Sequence, residues 1–375
     1  MLASSVSTDH NGMNIVFRAE ASLEIGSGHV MRCLTLAEAC RQQGAVVTFA
    51  CRSRRGDLNE LIRHRGFGLL TLGAAAENTT SGEPNWLGAE GSDDARETLS
   101  ALRSHLPQQD WLIADNYAID AGWERTLRPA APRILVIDDL ANRPHDCDIL
   151  LDQNLIRSME TRYDGKTADA TLLLGPSYAL LREDYEDLRK RARLRTSVES
   201  IMIYFGGSDL GDLTGASLRA ILSMTQWRPR VDVVLAPSSP NFNAVQSLCS
   251  EHDKVVLHTR LPSLAALMLD ADLAIGAVGA TSWERLCLGL PTLGVTVASN
   301  QVPVAERLAE AGLMFWLGDA GSVTEATIGG ALKKVRTSAD LASISRHSMD
   351  VCDGAGTRRV VSSIWSHSRP RSDMD

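Results

Sequence analysis

His29 is the residue in this sequence whose type and setting most directly suggest chemistry. It follows Gly26-Ser27-Gly28, which comes after an apolar segment, 14–18, and it begins a run with helical apolar spacing, 29–40. Glycines between a strand and a helix permit a tight turn and a close approach of the backbone to a ligand. An imidazole above the strand ends can accept a proton, so the motif indicates a general base. The motif lacks the third glycine of a dinucleotide fingerprint. The alternative is therefore a turn followed by a histidine that only caps the helix or packs against it.

Carboxylates follow two further apolar segments. Asp115-Asn116-Tyr117 follows the segment 111–114, and Asp138-Asp139 follows the segment 133–137, with His145 a few residues later. Strands that alternate with helices form a parallel sheet, and such sheets bind ligands at the carboxyl ends of their strands. These carboxylates are therefore expected at a ligand-binding edge, and His145 is a second candidate for acid–base chemistry.

Two glycine-rich turns in the second half of the chain indicate a nucleotide site. Gly206-Gly207-Ser208 lies between a strand-like run, 200–205, and a helical run, and its amides and hydroxyl suit phosphate oxygens. The stretch 276–284 has the same arrangement, with Ser282 and Glu284 at the start of a helix. A carboxylate in that position can accept hydrogen bonds from both ribose hydroxyls. The alternative is an ordinary helix cap made by a hydroxyl residue and an acid.

The elements around these motifs predict an α/β protein with two domains. Strand-like runs alternate with helical runs in both halves, which favours two Rossmann-like parallel sheets. The highly charged segment 181–195 is interpreted as a solvated connecting helix at the boundary. The predicted division is a flexible N-terminal extension 1–13, an N-terminal Rossmann-like domain 14–185 that carries His29, a linker helix 186–197, a C-terminal Rossmann-like nucleotide-binding domain 198–365 and a disordered tail 366–375.

Composition narrows the class of protein. The chain has 375 residues and a net charge of −8, which argues against general nucleic-acid binding. Its 7 cysteines are scattered without a C-x-x-C pair, which suits reduced cytosolic thiols better than a disulfide framework or a zinc site. No apolar run reaches the ~18 residues of a membrane span, and the first residues lack a signal-peptide core. We therefore expect a cytoplasmic protein that binds neither nucleic acid nor a membrane.

Together these motifs resemble the PseG family, the UDP-2,4-diacetamido-2,4,6-trideoxy-β-L-altropyranose hydrolases of pseudaminic acid biosynthesis. The resemblance covers roughly residues 14–330, and its motifs are long and occur in the family's order. Glu20 and Asp212 depart from the pattern, because the family usually has Asp and Asn there. The matching segments are 17–22, 25–37, 115–117, 137–141, 148–154, 173–182, 206–209, 281–285 and 300–301.

The resemblance implies an architecture and a set of site residues. The architecture is that of GT-B glycosyltransferases, with two Rossmann-like domains whose parallel sheets face each other across a cleft, and with UDP bound by the C-terminal domain. His29 would be the general base and Tyr117 would line the sugar side. Glu284 would hold the ribose, and Asn300 with Gln301 would bind the substrate. The other expected substrate-binding residues are Gly28, Arg18, Asp115, Gly207, Ser208 and Ser282.

The resemblance also implies a reaction. Water would attack the anomeric carbon on the face opposite UDP, His29 would take its proton, and UDP would leave with inversion. The substrate would be a UDP-sugar, no metal or other cofactor would be needed, and the protein would be a monomer or a weak homo-oligomer. Two alternatives share the same donor site: a glycosyltransferase in which His29 deprotonates an acceptor hydroxyl, and a non-catalytic module that binds a UDP-sugar.

Overall fold

The computed structural model describes residues 12–75, 85–206, 209, 211–338 and 340–368. These residues form two compact units. The first contains the chain up to Leu151, then Tyr163–Leu172, and the chain from Val361 onward; the second contains Asp152–Arg162 and Leu173–Val360. The chain therefore passes between the units several times, whereas the predicted domains 14–185 and 198–365 imply a single passage. The extra passages arise because Asp152–Arg162 belongs to the second unit and because the last helix returns to the first.

The first unit is built on a seven-stranded sheet in the order β3-β2-β1-β4-β5-β6-β7. The pairings of β1 to β6 are parallel. The strands are β1 (Asn14–Ala19), β2 (Val46–Arg52), β3 (Gly68–Leu72), β4 (Trp111–Asp115), β5 (Arg133–Ile137), β6 (Ile149–Asp152) and β7 (Thr171–Leu174). The helices are α1 (Gly28–Gln42), α2 (Asn59–His64), α3 (Gly91–His105) and α4 (Ala121–Leu127).

The core of the first unit explains why its strands form. Val16 of β1, Leu112 of β4 and Val136 of β5 are fully or almost fully buried and belong to one cluster with Leu102 of α3 and Trp123 of α4. Central strands of a parallel sheet are covered on both faces, so nearly continuous apolar runs are what such a position requires. Each fully buried aliphatic side chain contributes about 1.5–3 kcal/mol through the area removed from water.

The second unit repeats this construction around a six-stranded sheet in the order β10-β9-β8-β11-β12-β13, with parallel pairings. Its strands are β8 (Ser200–Tyr204), β9 (Arg230–Val234), β10 (Val255–His258), β11 (Leu273–Ala277), β12 (Thr292–Thr296) and β13 (Phe315–Asp319). Its helices are α5 (Asp184–Arg191), α6 (Leu213–Leu222), α7 (Phe242–Ser250), α8 (Ala265–Asp270), α9 (Thr281–Cys287), α10 (Val302–Glu310), α11 (Glu325–Arg336) and α12 (Leu341–Val351). The last helix, α13 (Gly356–Ser368), begins in this unit and ends in the first.

The segment expected to be a solvated connecting helix is different in the structure. The helix α5 is short, Asp184–Arg191, and Arg195 beyond it is fully buried. Its guanidinium donates hydrogen bonds to the carbonyls of Met268 at 3.0 Å and Ala271 at 3.2 Å. Burial, and then the positive charge of nearby Arg193, lower the pKa of Arg195 to about 10. The prediction of a solvated segment is therefore wrong at Arg195, because carbonyls distant in sequence surround this one charge.

All 7 cysteines are in the described residues and carry free thiols. No helix in the described ranges is both long and apolar enough to span a membrane.

Candidate active site

His29 and Asp115 lie where the order of the first sheet reverses. β1 and β4 are neighbours in the middle of that sheet, and Ala19 of β1 pairs with Asp115 of β4. After β1 the chain turns at Gly26, whose φ of +76° lies in the left-handed region that favours glycine, and α1 begins at Gly28. The first turn of α1 and the end of β4 therefore meet at the switch point of a doubly wound sheet, which is where such sheets bind ligands.

The imidazole of His29 is oriented by Asp115. Its Nδ1 atom lies 2.6 Å from Oδ1 of Asp115, and the two residues are 8% and 0% exposed. A carboxylate in contact with Nδ1 favours a proton on that nitrogen and leaves Nε2 with a lone pair. A histidine oriented in this way can accept a proton on Nε2, and the carboxylate beside it can stabilise the positive charge that results.

Arg32 fixes the carboxylate that His29 contacts. Its Nε and Nη2 atoms donate to the two oxygens of Asp115, each at 2.6 Å, and its Nη1 atom lies 2.9 Å from Oδ2 of Asp139. Burial acts to raise the pKa of Asp115, but the positive charge of Arg32 and the hydrogen bonds from Arg32 and His29 hold it well below its usual range. Asp115 is therefore ionised throughout the physiological range.

Tyr117 and Trp86 place aromatic rings against His29. The ring centroid of Tyr117 lies 4.6 Å from that of His29, and the centroid of Trp86 lies 5.8 Å away, both edge to face. The hydroxyl of Tyr117 donates to Oδ2 of Asp139 at 2.8 Å. Tyr117 is thus joined to Arg32 through Asp139, so that one connected group of polar contacts orients the base.

Gly28 and Arg18 were both expected to bind the substrate, but they differ in exposure. Gly28 is exposed, and a Cβ atom there would meet nothing within 4 Å, so its backbone is open to a ligand. Arg18 is fully buried and bonds Glu20 and, at 2.7 Å, Oδ2 of Asp94. Asp115 is also fully buried. Arg18 and Asp115 can therefore act on a substrate only through other residues.

Glu20, the first departure from the family pattern, belongs to a buried network of charges. It accepts hydrogen bonds from the Arg18 guanidinium and, at 3.2 Å, from the backbone amide of Arg52. Burial raises the pKa of Glu20 even though the charge of Arg18 opposes this. The longer side chain at this position is therefore used inside the protein and does not reach the open side of His29.

His145 is a packed residue and not a second base facing the ligand. Its side chain is completely buried, with Nδ1 2.6 Å from Oε1 of Glu124. Its Nε2 atom is 3.8 Å from Oδ2 of Asp138, which is an ion-pair separation and too long for a hydrogen bond. No substrate can reach this imidazole, so the expectation of a second catalytic histidine is wrong for a steric reason.

In the second unit, Glu284 and Ser282 lie in α9, directly after the turn that follows β11. Glu284 is partly exposed as a residue, but its Oε2 atom is buried and has no hydrogen-bond partner in the described part of the chain. Burial raises the pKa of Glu284 to about 7, and contact with the Tyr185 hydroxyl and the charge of Arg285 limit the rise. The hydroxyl of Ser282 accepts a hydrogen bond from Arg285 at 3.0 Å and keeps its own proton to donate.

Asn300 and Gln301 lie after the next strand of the same sheet. They are in a short 3-10 helix, Ser299–Gln301, which follows β12. Oε1 of Gln301 accepts from the amide of Val297 at 2.8 Å, and its amide nitrogen lies beside Gly279 in the turn before α9. The structure therefore places Gln301 next to the turn that carries Ser282, at the carboxyl ends of adjacent strands.

The glycine-rich turn after β8 is described only in part. Gly207 and Ser208, which were expected to bind phosphate, lie outside the described residues. Asp209 caps α6 by accepting hydrogen bonds from the amides of Leu213 at 3.1 Å and Thr214 at 2.8 Å. Asp212, the second departure from the family pattern, pairs with Arg219 at 3.0 Å.

Sequence reasoning missed Arg32 and Trp86. A local signal was available for Arg32, because it follows His29 by three residues in a helix and so shares its face. Trp86 lies in a loop before α3, where no periodicity indicates what its ring contacts. Among the described residues, no group of three or more His, Cys, Asp or Glu side chains is arranged to hold a metal ion.

Comparison with curated proteins confirms the resemblance to the PseG family. The chain is 26% identical over 302 residues to the UDP-2,4-diacetamido-2,4,6-trideoxy-β-L-altropyranose hydrolase of Campylobacter jejuni, and the match covers 80% of this chain and 97% of that protein. It is 26% identical over 50% of its length to the spore coat polysaccharide biosynthesis protein SpsG of Bacillus subtilis, and 25% identical over 75% of its length to an uncharacterized protein of Methanocaldococcus jannaschii. The chain spans about half the length of these last two relatives, 56% and 55%. No protein-family model matches the chain.

Comparison with solved structures confirms the GT-B-like fold. MurG of Acinetobacter baumannii aligns with a TM-score of 0.64 at 16% identity, covering 94% of this chain and 99% of that one. UGT71G1 of Medicago truncatula, solved with UDP-glucose, aligns with a TM-score of 0.66 at 12% identity, covering 95% and 99%. At such low identity the similarity shows the fold alone, and it agrees with the two Rossmann-like sheets.

Proposed function

We propose that this protein is a UDP-sugar hydrolase that releases UDP and the free sugar from UDP-2,4-diacetamido-2,4,6-trideoxy-β-L-altropyranose. The observation that carries the proposal is the His29–Asp115 pair, 2.6 Å apart at the switch point of the first sheet. The choice of sugar is supported by the match that covers 97% of the Campylobacter jejuni hydrolase. The broader proposal, that the protein is an enzyme acting on nucleotide sugars, covers any other sugar attached to UDP.

The proposed step is a displacement by water at the anomeric carbon. The water oxygen bonds to that carbon while its proton passes to Nε2 of His29. The bond between the anomeric carbon and the UDP oxygen breaks, and its electron pair leaves with UDP, so configuration is inverted. Asp115 stabilises the imidazolium without taking the proton itself. Because UDP is a good leaving group, the carboxylic acid that glycosidases use to protonate theirs is unnecessary.

Residues of the second unit supply the nucleotide-binding groups in this proposal. The carboxylate of Glu284, a residue that is partly exposed, accepts the ribose hydroxyls. The hydroxyl of Ser282 donates to the diphosphate, as do the amides of Gly207 and Ser208, and these donors stabilise the negative charge that develops on UDP. Asn300 binds the substrate beside them.

The test is hydrolysis of the UDP-sugar in H₂¹⁸O, with the products analysed by mass spectrometry and the anomer by NMR. We expect the label in the sugar, with inverted configuration, and loss of turnover by about 10²–10⁴-fold in His29→Ala with UDP affinity near that of the wild type. Label in UDP would mean attack at phosphorus and would contradict the proposed step. Release of UDP only when an acceptor alcohol is added would mean a transferase.

A further inference from the structure

The open side of His29 is narrow. Nδ1 is occupied by Asp115, so only Nε2 remains for a proton acceptor, and no side chain in the described ranges makes a hydrogen bond to it. Only 8% of the residue is exposed. The rings of Tyr117 and Trp86 stand edge to face against the imidazole and against each other, with their own centroids 4.7 Å apart. The space beside the base is therefore bounded by apolar ring edges.

We propose that Trp86 sets the size of the nucleophile that His29 can activate, admitting water and excluding an acceptor alcohol. This inference rests on the proposed hydrolysis and explains why a glycosyltransferase scaffold would give hydrolysis as its outcome. It makes Trp86 a residue that determines the specificity for the second substrate, water.

The position of Trp86 is fixed by contacts to its main chain. Its carbonyl accepts hydrogen bonds from Nδ2 of Asn116 at 2.8 Å and from Nη2 of Arg54 at 3.2 Å. Arg54 also donates to the carbonyl of Asn85 at 2.6 Å, and the next side chain, Leu87, is 1% exposed. Asn116 precedes Tyr117 directly, so the loop that carries Trp86 is tied to the turn that carries Tyr117. The two aromatic rings therefore lie on segments that are joined by a hydrogen bond between Asn116 and the carbonyl of Trp86.

Water and an alcohol would undergo the same bond changes, so the size of the nucleophile decides between them. With water or with an alcohol, the nucleophile loses one proton to Nε2, its oxygen bonds to the anomeric carbon, and the bond to UDP breaks with its electron pair on UDP. The two reactions differ only in the group that remains on the oxygen, which is hydrogen in one and carbon in the other. An alcohol must place that carbon next to the imidazole, and the ring centroid of Trp86 lies 5.8 Å from the imidazole centroid. Specificity of this kind is obtained by steric exclusion and needs no polar contact.

The experiment measures the partition of the sugar between water and added alcohols. Wild-type protein is incubated with the UDP-sugar and with methanol, ethanol or glycerol, and the ratio of glycoside to free sugar is measured by mass spectrometry. We expect the ratio to fall steeply from methanol to glycerol in the wild type. Trp86→Ala should raise the ratio for glycerol by at least about tenfold, the effect that a change in pocket size commonly has. Trp86→Phe, whose ring is smaller than an indole, is the graded comparison and should give a ratio between those of the wild type and Trp86→Ala.

Three results would overturn the inference. An unchanged ratio in a folded Trp86→Ala variant would show that the indole excludes nothing. Equal transfer to methanol and glycerol by the wild type would show the same without any variant, which keeps the test valid if Trp86→Ala does not fold. If the wild type released no UDP with or without alcohols, the proposed function would be wrong as well. This result differs from the first two, because both of those require that hydrolysis occurs.

Discussion

Arg32 and Asp115 make a two-point contact in which Nε and Nη2 of the guanidinium each lie 2.6 Å from a different oxygen of the carboxylate. A planar guanidinium matches a carboxylate in this way and holds it in one orientation. The oxygen that faces His29 is therefore placed by Arg32, and the direction of the imidazole follows from it.

Replacing Asp115 by Asn should stop most turnover while leaving substrate affinity almost unchanged. The amide is neutral and can donate to Nδ1, which would move the histidine proton to Nε2, the atom needed as acceptor. We expect kcat to fall by about 10²–10⁴-fold, as for other positioned acid–base pairs, with KM little changed. Steady-state kinetics of UDP release would show this. The double variant with His29→Ala should be no slower than His29→Ala alone, because the two residues act as a unit; wild-type turnover in Asp115→Asn would contradict the assignment.

Arg32→Lys should lower kcat and move the acidic limb of the pH profile. Lysine keeps the charge but cannot contact both oxygens at once. The charge and hydrogen bonds of Arg32 hold the pKa of Asp115 below its usual range, so weakening them raises that pKa. The carboxylate would then be protonated at a higher pH as the solution is acidified, and kcat/KM should decline earlier on the acidic side. Arg41→Lys, the same change near the end of α1, is the control and should leave the profile unchanged.

Glu284→Gln should change stability in a pH-dependent way and weaken nucleotide binding. Burial raises the pKa of Glu284 from an ordinary 4.5 to about 7, so the folded chain binds this proton more tightly than the unfolded chain. The free energy of unfolding of the wild type should therefore fall as pH rises from about 4.5 to about 7. The variant has no carboxylate to ionise, so its stability relative to the wild type should increase across that window.

Denaturant unfolding at several pH values, together with UDP titration, would measure both effects. We expect UDP affinity in Glu284→Gln to drop roughly tenfold or more, the loss typical of a hydrogen bond to a charged group. Glu306→Gln, which changes an exposed carboxylate on α10, should alter neither quantity. Unchanged UDP affinity in Glu284→Gln would remove the ribose role but leave the stability prediction in place.

His145 should stabilise the fold at low pH and lose that effect as pH rises. Burial acts to lower its pKa, but the negative charges of Asp138 and Glu124 outweigh burial and raise it above the ordinary 6.5. The stabilisation is therefore complete below pH 6.5 and disappears as pH passes the raised value. His145→Gln should flatten the decline in unfolding free energy above pH 6.5, whereas His64→Gln on the surface of α2 should not. A parallel decline in His145→Gln and the wild type would rule out this contribution.

The sequence predicts the sheet architecture and the position of His29 at the edge where the strands end, because both depend on local pattern. Buried parallel strands need uninterrupted apolar runs, and His29 and Asp115 each come directly at the end of such a run. Their proximity then follows from the rule that parallel strands end at one edge. The position of Tyr117 at the same edge follows for the same reason, because it lies in the turn after β4.

The surroundings of Arg18, Trp86 and Arg195 could not be predicted because their partners are remote in sequence. Arg18 is held by Asp94, 76 positions away, and a charge on a strand gives no sign of whether it turns toward a ligand or toward such a partner. The ring of Trp86 reaches His29 from an irregular loop. Arg195 is enclosed by carbonyls, including that of Leu288, 93 residues later.

Because α13 returns to the first unit, neither unit is a single continuous segment that could be exchanged with that of a related chain. The residues of α13 up to Val360 belong to the second unit. Ser368, at the end of the same helix, accepts a hydrogen bond from the indole of Trp111 in β4 at 2.8 Å. The second unit also contains Asp152–Arg162 and resumes at Leu173, so an exchange of either unit between related chains needs several junctions, one of them within α13.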